Sequence, residues 1–307
     1  MIRGKVEKIF IICPRVWTGG PENLHQLCDQ LNALGADAYM VYHPNPERDF
    51  TPHYRGFANL KVAEWVEDVP GSLVIMPEIH LIPDARQHFP NCTIAIWWLS
   101  YVNAVMGGTV VENIRAEAEA IHLFHSYYEY AMIRPHLSWS TWWFFLTDYI
   151  HDEFLHLDTE SFIAGKEDIV CFNGNKDKIS QHICEKAGIP YIPIKGMTRD
   201  QVNATLQKCK VYLDNGYHPG KDHLPREAAM NGCVVITNKS GSAAYFEDVP
   251  IEEKAVLELD LYDLIPKVLA DYRHYFDKQH NYREGIRREK AAFAHNVENF
   301  WKQINGG

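Results

Sequence analysis

The chain lacks the short motifs that mark several common enzyme classes. It contains no Gly-x-Gly-x-x-Gly, which argues against a nicotinamide-dependent enzyme, and no Gly-x-Ser-x-Gly, which removes support for a serine hydrolase. His-Glu-x-x-His is absent too, and the close pairs His122/His125 and His151/His156 have no third ligand at a fixed spacing. The sequence therefore predicts no metal site.

Long apolar runs and paired cysteines are also missing. The longest apolar stretches, residues 92–99 and 142–146, are far too short to span a bilayer, and the amino-terminal residues have no apolar signal core. The seven cysteines are dispersed without a Cys-x-x-Cys pair, which is typical of reduced thiols. We therefore predict a cytoplasmic protein without a transmembrane segment.

The chain has fewer basic residues than acidic ones, 30 against 40. The net charge of −10 argues against a protein that binds a nucleic-acid backbone. It also disfavours purely electrostatic docking on anionic lipid, although a local basic patch could override the total. We expect no nucleic-acid partner, and peripheral membrane contact stays open.

The 307 residues are too many for one ordinary core and enough for two domains of about 150 residues each. Apolar strands that end in polar residues alternate with helical patterns, which predicts a parallel α/β sheet in each half. The expected strands are 6–13, 38–42, 72–76, 93–98 and 120–124, then 168–172, 191–194, 211–213 and 233–237. Residues 147–166 have little periodic apolar content, so we place the interdomain linker there.

The most informative segment is 211–248. A strand runs into a polar loop, a short helix opens at Leu224-Pro225 and ends near Gly232, and a second strand runs into a small-residue turn. In an open parallel sheet such strand ends form the ligand crevice. Free amides at the start of the helix and in the turn Gly241-Ser242-Ala243 suit phosphate oxygens.

This segment resembles the donor-binding part of GT-B glycosyltransferases, the large retaining group with a Glu-x7-Glu signature. Their pattern reads roughly E-G-F-G-L-P-x-x-E-A-M-A-x-G-x-P-V-V, and the matching residues here are Leu224-Pro225-Arg226-Glu227-Ala228-Ala229-Met230-Asn231-Gly232-Cys233-Val234-Val235. The resemblance implies that Glu227 is the second glutamate, which binds the donor ribose. The first glutamate is missing, and Asp222 or the Gly220 backbone stands nearest. The stretch is most similar to bacterial polysaccharide transferases that read His-Pro-Gly-Lys-Asp-x-x-Pro-Arg-Glu-Ala-Ala.

The resemblance implies a fold and a reaction. The fold would be α/β, with two Rossmann-like βαβ domains facing a central cleft. Residues 1–155 would form the acceptor-side domain, residues 166–285 the nucleotide-sugar domain, and residues 286–307 a helix that packs back on the first. The reaction would move a sugar from a nucleotide-diphosphate donor to a glycan or glycolipid acceptor in bacterial surface-polysaccharide assembly, with retention. It would use no metal and no cofactor besides the nucleotide sugar, and the absence of Asp-x-Asp counts against the metal-dependent single-domain class.

Donor-side candidates lie in three loops of the second half. Glu227, Asp222 and Lys176 are the catalytic candidates, and Glu227 could instead be an ordinary first-turn acid of its helix. A cation at Lys176 or Lys178 would neutralise the departing diphosphate, and the alternative is a solvated turn. Arg226 would either bind a phosphate or pair with an acid. The candidate donor-binding residues are Asn173, Gly174, Lys178, Lys221, Arg226, Gly241, Ser242 and Ala243.

Acceptor-side candidates follow strands of the first half. A Gly-Gly loop between the first strand and the helix expected over residues 23–34 is the usual acceptor-side feature of GT-B enzymes, and the alternative is a tight turn. His125 would contact sugar hydroxyls or be a structural histidine. The candidates are Thr18, Gly19, Gly20, Glu78, Ser100, Asn103 and His125.

Two other functions fit the same fold. One is a nucleotide-sugar epimerase, which would need acids and a histidine inside the cleft. The other is a non-catalytic protein that binds nucleotide sugar or glycan, which the missing first glutamate and the short chain both favour.

Overall fold

A computed structural model describes residues 5–16, 18–43, 56–80, 85–106, 114 and 119–306. The chain forms two compact units. Unit 1 contains the residues up to Tyr149 together with those from Lys290 onward, and unit 2 is Ile150–Glu289.

Unit 1 is built on a parallel sheet in which the strand order is β2-β1-β3-β4-β5-β6. Its strands are β1 (Lys8–Pro14), β2 (Ala38–His43), β3 (Ser72–Pro77), β4 (Thr93–Trp98), β5 (Ile121–Phe124) and β6 (Trp143–Phe145). Its helices are α1 (Gly19–Ala33), α2 (Ala85–His88), α3 (Tyr101–Met106) and α4 (Tyr127–Ile133). β3 and β4 are buried along their whole length, because a parallel sheet is covered on both faces.

Unit 2 repeats this architecture with the strand order β11-β10-β9-β7-β8. Its strands are β7 (Glu167–Asn173), β8 (Tyr191–Ile194), β9 (Cys209–Asp214), β10 (Val234–Asn238) and β11 (Lys254–Ala255). Its helices are α5 (Asp152–Leu155), α6 (Ile179–Ala187), α7 (Arg199–Lys208), α8 (His223–Met230), α9 (Glu258–Ala270) and α10 (Tyr272–Lys278). The pairs from β7 to β10 are parallel, as the sequence pattern predicts.

A final helix, α11 (His280–Ile304), is continuous across the residue at which the two units are divided. Its later residues pack on unit 1, where the Phe300 ring meets Phe144 edge-on and the Phe293 ring contacts Tyr149. Both phenylalanines are buried at the core-facing side of the helix.

The predicted strands are all present, with ends shifted by at most two residues, and the prediction of an α/β fold with two Rossmann-like units is confirmed. Two short strands at sheet edges, β6 and β11, were not expected. The first helix begins at Gly19 rather than residue 23, because Thr18 has extended backbone at the N-cap and Pro21 suits a first turn. The sequence also predicts one helix over residues 261–274, and the structure divides this segment at Asp271 into α9 and α10.

Among the described residues, no helix is both long enough and apolar enough to cross a membrane. The seven cysteines are all free and all buried.

Candidate functional site

The candidate donor site of unit 2 lies where the order of strands in its sheet reverses. Strands β7 and β9 are neighbours, and the chain continues from them toward opposite sides of the sheet, to β8 and to β10. Ligands of open parallel sheets bind at the carboxyl edge at such a point. β7 ends at Asn173 and β9 at Asp214, so the loops that follow these two residues line the site.

The loop after β7 is held in a fixed shape. The Gly174 amide donates to Ile194 O over 3.0 Å, and a Cβ at Gly174 would lie 2.9 Å from Pro193 Cβ, so only glycine fits this close approach. Asp177 is buried and accepts hydrogen bonds from the backbone amides of Ser180, at 2.9 Å, and Asn215, at 3.1 Å. This carboxylate therefore joins the loops after β7 and β9, a role that the sequence did not reveal.

Lys176 and Asp222, two of the three catalytic candidates, lie side by side. Lys176 Nζ is 3.5 Å from Asp222 Oδ1, although the residues are 46 apart in the chain. The Lys176 side chain is 56% exposed, so it keeps access to an incoming anion. Lys178 is exposed at the N-cap of α6 and does not contribute to this pair.

An imidazole lies between two carboxylates next to this pair. His218 Nε2 is 3.7 Å from Asp214 Oδ1, and His218 Nδ1 is 3.8 Å from Asp222 Oδ2. Burial raises the pKa of Asp214 above its ordinary value, and the nearby charges of Asp222 and Asp177 raise it further, although His218 opposes them. The spacing Asp-x3-His-x3-Asp is the sequence signal that could have revealed this group.

Asp214, His218 and Asp222 are also the group of described side chains whose ligand atoms lie close enough together to hold a metal ion. The two carboxylates, however, face different nitrogens of the same ring. Since the two ring nitrogens point in diverging directions, a single ion could use only one of these two nitrogen contacts.

The basic candidates Lys221 and Arg226 both form ion pairs with one glutamate of α11, Glu289. Lys221 Nζ is 3.0 Å from Glu289 Oε1, and Arg226 Nη1 is 2.7 Å from Glu289 Oε2. The Arg226 guanidinium also donates to Lys221 O and Asp222 O, and its residue is only 2% exposed. Arg226 therefore forms an ion pair with an acid, which is one of its two predicted roles. Its hydrogen bonds to Lys221 O and Asp222 O hold the loop that carries Asp222.

The turn after β10 packs on the loop after β9. Ser242 donates from its backbone amide to His218 O, at 3.0 Å, and from its hydroxyl to Gly220 O, at 2.6 Å. The Ala243 amide donates to Ser240 O. Gly241 has a positive φ of 55°. The donor groups of this turn therefore hold the two loops together, and phosphate binding by Gly241, Ser242 and Ala243 stays a prediction.

Glu227 lies in the second turn of α8, because that helix begins at His223. Its side chain is half-buried. The first turn contains no acid, so the interpretation of Glu227 as a first-turn acid does not apply. Its ribose-binding role stays a prediction.

In unit 1 the strand order reverses between β1 and β3, and the acceptor-side candidates follow the strands β1, β3, β4 and β5. The residues Thr18, Gly19 and Gly20 form the start of α1, and a Cβ at Gly20 would touch Leu99 Cδ1 at 3.7 Å. The start of α1 is therefore next to the residue that follows β4.

Glu78, Ser100 and Asn103 form one connected group. The Leu99 amide donates to Glu78 Oε2 over 2.8 Å, and the Asn103 amide donates to Ser100 Oγ over 3.2 Å. Glu78 and Ser100 are buried, whereas Asn103 is exposed. Burial raises the pKa of Glu78 to about 7, although hydrogen bonds from the Leu99 and Ser100 amides and the Asn103 side chain partly oppose it.

We expect Glu78 to make folding pH-dependent. Its unfolded pKa is near 4.5 and its folded pKa near 7, so the folded chain binds more protons between these values and the free energy of unfolding falls as pH rises. Glu78→Gln should remove this loss, which amounts to about 3 kcal/mol in all. Urea unfolding from pH 4.5 to 8 tests it, with the exposed Glu119→Gln as control; parallel curves for wild type and Glu78→Gln would contradict the prediction.

His125 follows β5 directly and is 4% exposed. Its Nε2 lies 3.1 Å from Asp148 Oδ1 and 3.5 Å from Asn23 Nδ2, and its ring meets Trp97 edge-on. Asp148 is fully buried and was not among the predicted residues. It follows β6 closely, and only the recognition of that short edge strand would have placed it at this end of the sheet.

No protein-family model matches the sequence, and neither does any curated protein. Solved structures do match along the whole chain. The structure of sucrose-phosphate synthase (tll1590) from Thermosynechococcus elongatus is 15% identical with a TM-score of 0.69, over 97% of this chain and 99% of that one. AviGT4, a glycosyltransferase involved in avilamycin A biosynthesis, is 13% identical with a TM-score of 0.58, over 97% and 96%. Anabaena Alr3699/HepE, solved in complex with UDP-glucose, is 10% identical with a TM-score of 0.55, over 97% and 98%.

These likenesses, at low identity, establish the fold. The chain has the GT-B fold of glycosyltransferases, with two parallel-sheet α/β units.

Proposed function

We propose that this chain is a glycosyltransferase that moves a hexosyl group from a nucleotide-diphosphate donor to a glycan or glycolipid acceptor. The observation that carries the proposal is the convergence of Lys176 and Asp222 at the reversal point of the second sheet, in a chain with the GT-B fold. Solved neighbours that include a complex with UDP-glucose support a nucleotide-sugar donor. Retention, independence of a metal and a place in bacterial surface-polysaccharide assembly belong to the same proposal.

The donor-side residues have distinct proposed roles. Lys176, the more accessible partner of Asp222, compensates the charge of the leaving diphosphate, and Glu227 binds the ribose. Lys221 and Arg226 act through Glu289, because their ion pairs fix the loop that carries Asp222. Asn173 and Gly174 shape the adjoining loop, since Gly174 is held against β8.

The acceptor-side residues contact hydroxyl groups in this proposal. Thr18, Gly19 and Gly20 offer the start of a 15-residue helix, whose free amides and partial positive charge suit an oxygen ligand. The buried groups Glu78, Ser100 and His125 follow β3, β4 and β5, so they belong to the carboxyl edge of one sheet. Asn103, one turn into α3, is the exposed member of the set.

Nucleotide binding is the first test. A nucleoside diphosphate at about 100 times its dissociation constant should stabilise the native chain by about 2.7 kcal/mol and raise its melting temperature by a few degrees. We expect one of UDP, GDP, ADP, CDP and dTDP to do so with wild type and to lose the effect with Glu227→Ala. The matched control is Glu167→Ala, an exposed glutamate at the opposite end of β7, which should keep the full shift.

Two results would contradict parts of the proposed donor site. A shift that survives in Glu227→Ala would contradict the ribose role, and no shift with any nucleotide would contradict the donor site. Product analysis with the matching nucleotide sugar then separates glycosyl transfer from epimerisation, because transfer yields the nucleoside diphosphate together with a new glycoside.

One observation favours a second candidate, a non-catalytic protein that binds nucleotide sugar or glycan. The basic side chains Lys221 and Arg226, two of the candidate donor-binding residues, both pair with Glu289, which leaves fewer cations for a leaving diphosphate. Such a protein should bind the nucleotide sugar and leave it unchanged over prolonged incubation with glycan acceptors.

A further inference from the structure

Unit 1 contains an aromatic groove between the end of α4 and the start of β6, with a cavity volume of about 400 Å³. Its principal lining residues are Tyr130, Arg134, Leu137, Trp139 and Trp143. The His122 amide donates to Trp142 O at 2.9 Å, which places the chain before β6 at the amino end of β5. The acceptor-side candidates follow the carboxyl ends of the strands, so the aromatic groove is a separate site. Its volume is in the range of small-molecule sites.

The walls of the aromatic groove are held by the core of unit 1. The rings of Tyr130 and Trp143 have centroids 5.0 Å apart, and both side chains pack against buried core residues. Leu137, which also lines the groove, is itself buried. The groove is therefore formed by side chains that are already fixed, and a ligand would not have to order them.

Trp139 stands at the rim of the aromatic groove, with 96% of its side chain exposed. Arg134 Cζ lies 5.2 Å from the centroid of the Trp139 ring, so the guanidinium lies over one face of the indole. The turn that carries Trp139 is fixed, because the Thr141 amide donates to Ser138 O at 3.2 Å and the Ser138 and Ser140 hydroxyls are 2.8 Å apart. One face of a held indole ring is therefore open for stacking.

Arg134 is the one charged residue among the described residues that line the aromatic groove. Its guanidinium donates to Leu137 O at 3.3 Å and contacts the Trp139 ring, and no described acid pairs with it. A guanidinium keeps paired donors that match the two oxygens of a carboxylate. In a chain with a net charge of −10, an acid-free groove with a single cation favours a ligand that carries one negative charge.

We propose that the aromatic groove binds an acidic glycan, in which the ring of a hexuronic acid stacks on Trp139 and its carboxylate pairs with Arg134. A pyranose ring presents C–H groups that suit the face of an indole. The exposed Ser138 and Ser140 hydroxyls flank Trp139 and offer hydrogen bonds to sugar hydroxyls. This binding site is additional to the acceptor site of the proposed function and does not depend on it.

An anionic membrane and a nucleotide match the charge of the aromatic groove less well. Attachment to anionic lipid draws on several basic residues, whereas the described lining has Arg134 alone. A nucleoside diphosphate carries more than one negative charge, and a single guanidinium would leave part of that charge without a partner. Binding of either one at Trp139 is therefore a result that would overturn the proposal.

Calorimetric titration with defined oligosaccharides tests the choice of ligand. The acidic probes are tetrasaccharides of hyaluronan, which contain glucuronic acid, and of polygalacturonate. The neutral probe is the tetrasaccharide of N-acetylglucosamine. We expect at least one acidic probe to bind, with an affinity about tenfold or more above that of the neutral probe. Equal affinities, or no binding of either acidic probe, would overturn the proposal.

Variants locate the binding. Trp139→Ala should lower the affinity for the acidic probe about tenfold or more, because it removes the stacking surface. Arg134→Met should remove the preference for the acidic over the neutral probe. Trp65→Ala, which replaces another exposed tryptophan of unit 1, is the matched control and should bind as wild type does. An unchanged affinity in Trp139→Ala would show that the glycan binds elsewhere.

Two further arms separate the other occupants and the proposed function. Vesicles of phosphatidylcholine and phosphatidylglycerol, or UDP, would replace the glycan as ligand if their binding were lost in Trp139→Ala while the acidic probes did not bind. The stabilisation by a nucleoside diphosphate should be the same in Trp139→Ala as in wild type. Its absence from both proteins would count against the proposed donor site and leave the glycan result standing.

Discussion

Gly241→Ala should lower the free energy of unfolding by about 3–5 kcal/mol, one of the two largest effects expected for this chain. A Cβ at this position would lie 1.8 Å from His218 O and 2.7 Å from His218 C. These are backbone atoms, so they cannot swing aside as the end of a side chain can. The loops after β9 and β10 would have to separate, with loss of the bond from the Ser242 amide to His218 O. Urea unfolding followed by circular dichroism measures the loss.

Gly196→Ala is the matched control for this experiment. Gly196 has a similar φ of 62°, but a Cβ there would meet no atom within 4 Å. Its replacement therefore measures the conformational penalty alone, about 1 kcal/mol. Equal losses in the two variants would show that the approach of Gly241 to His218 contributes nothing.

Lys166→Met should cost about 3 kcal/mol of unfolding free energy. The Lys166 ammonium is buried and donates to three backbone carbonyls, Leu206 O at 2.6 Å, Asn231 O at 2.7 Å and Cys209 O at 2.9 Å. Burial of the charge has its own cost, but methionine would leave three buried acceptors without this donor at about 1–3 kcal/mol each. The second effect is larger, so the net change is a loss. Thermal and urea unfolding measure it.

Lys208→Met isolates the contribution of burial in that experiment. Lys208 is 47% exposed and pairs with Glu167 at 3.5 Å, so its replacement should change stability by less than about 1 kcal/mol. A Lys166→Met protein as stable as Lys208→Met would mean that other groups satisfy the three carbonyls.

The sequence predicted the strands well because each is a short apolar run bounded by polar residues. β4 (Thr93–Trp98) has the bounds expected from the pattern. β11 was missed because a strand of two residues is too short to show a periodic pattern. β6 was missed because Trp143–Phe145 has no alternation of apolar and polar residues.

The candidate sites were predicted less completely, because their partners are distant in the chain. Glu289 lies 63 residues after Arg226 and 68 after Lys221, and no local pattern links them. Asp177 and Asp148 were missed for the same reason, since their role depends on loops brought together by the sheets. Residues that end predicted strands, such as Glu78 and His125, could be named because strand ends share one edge.

The cysteines have a practical consequence. Three of them, Cys13, Cys28 and Cys92, belong to unit 1, and the other four belong to unit 2. Because each thiol is buried, a small alkylating reagent can modify it only when its surroundings open. The labelling rate of each thiol therefore reports how often its own unit exposes its interior, and the native chain contains separate chemical probes of local opening for the two units.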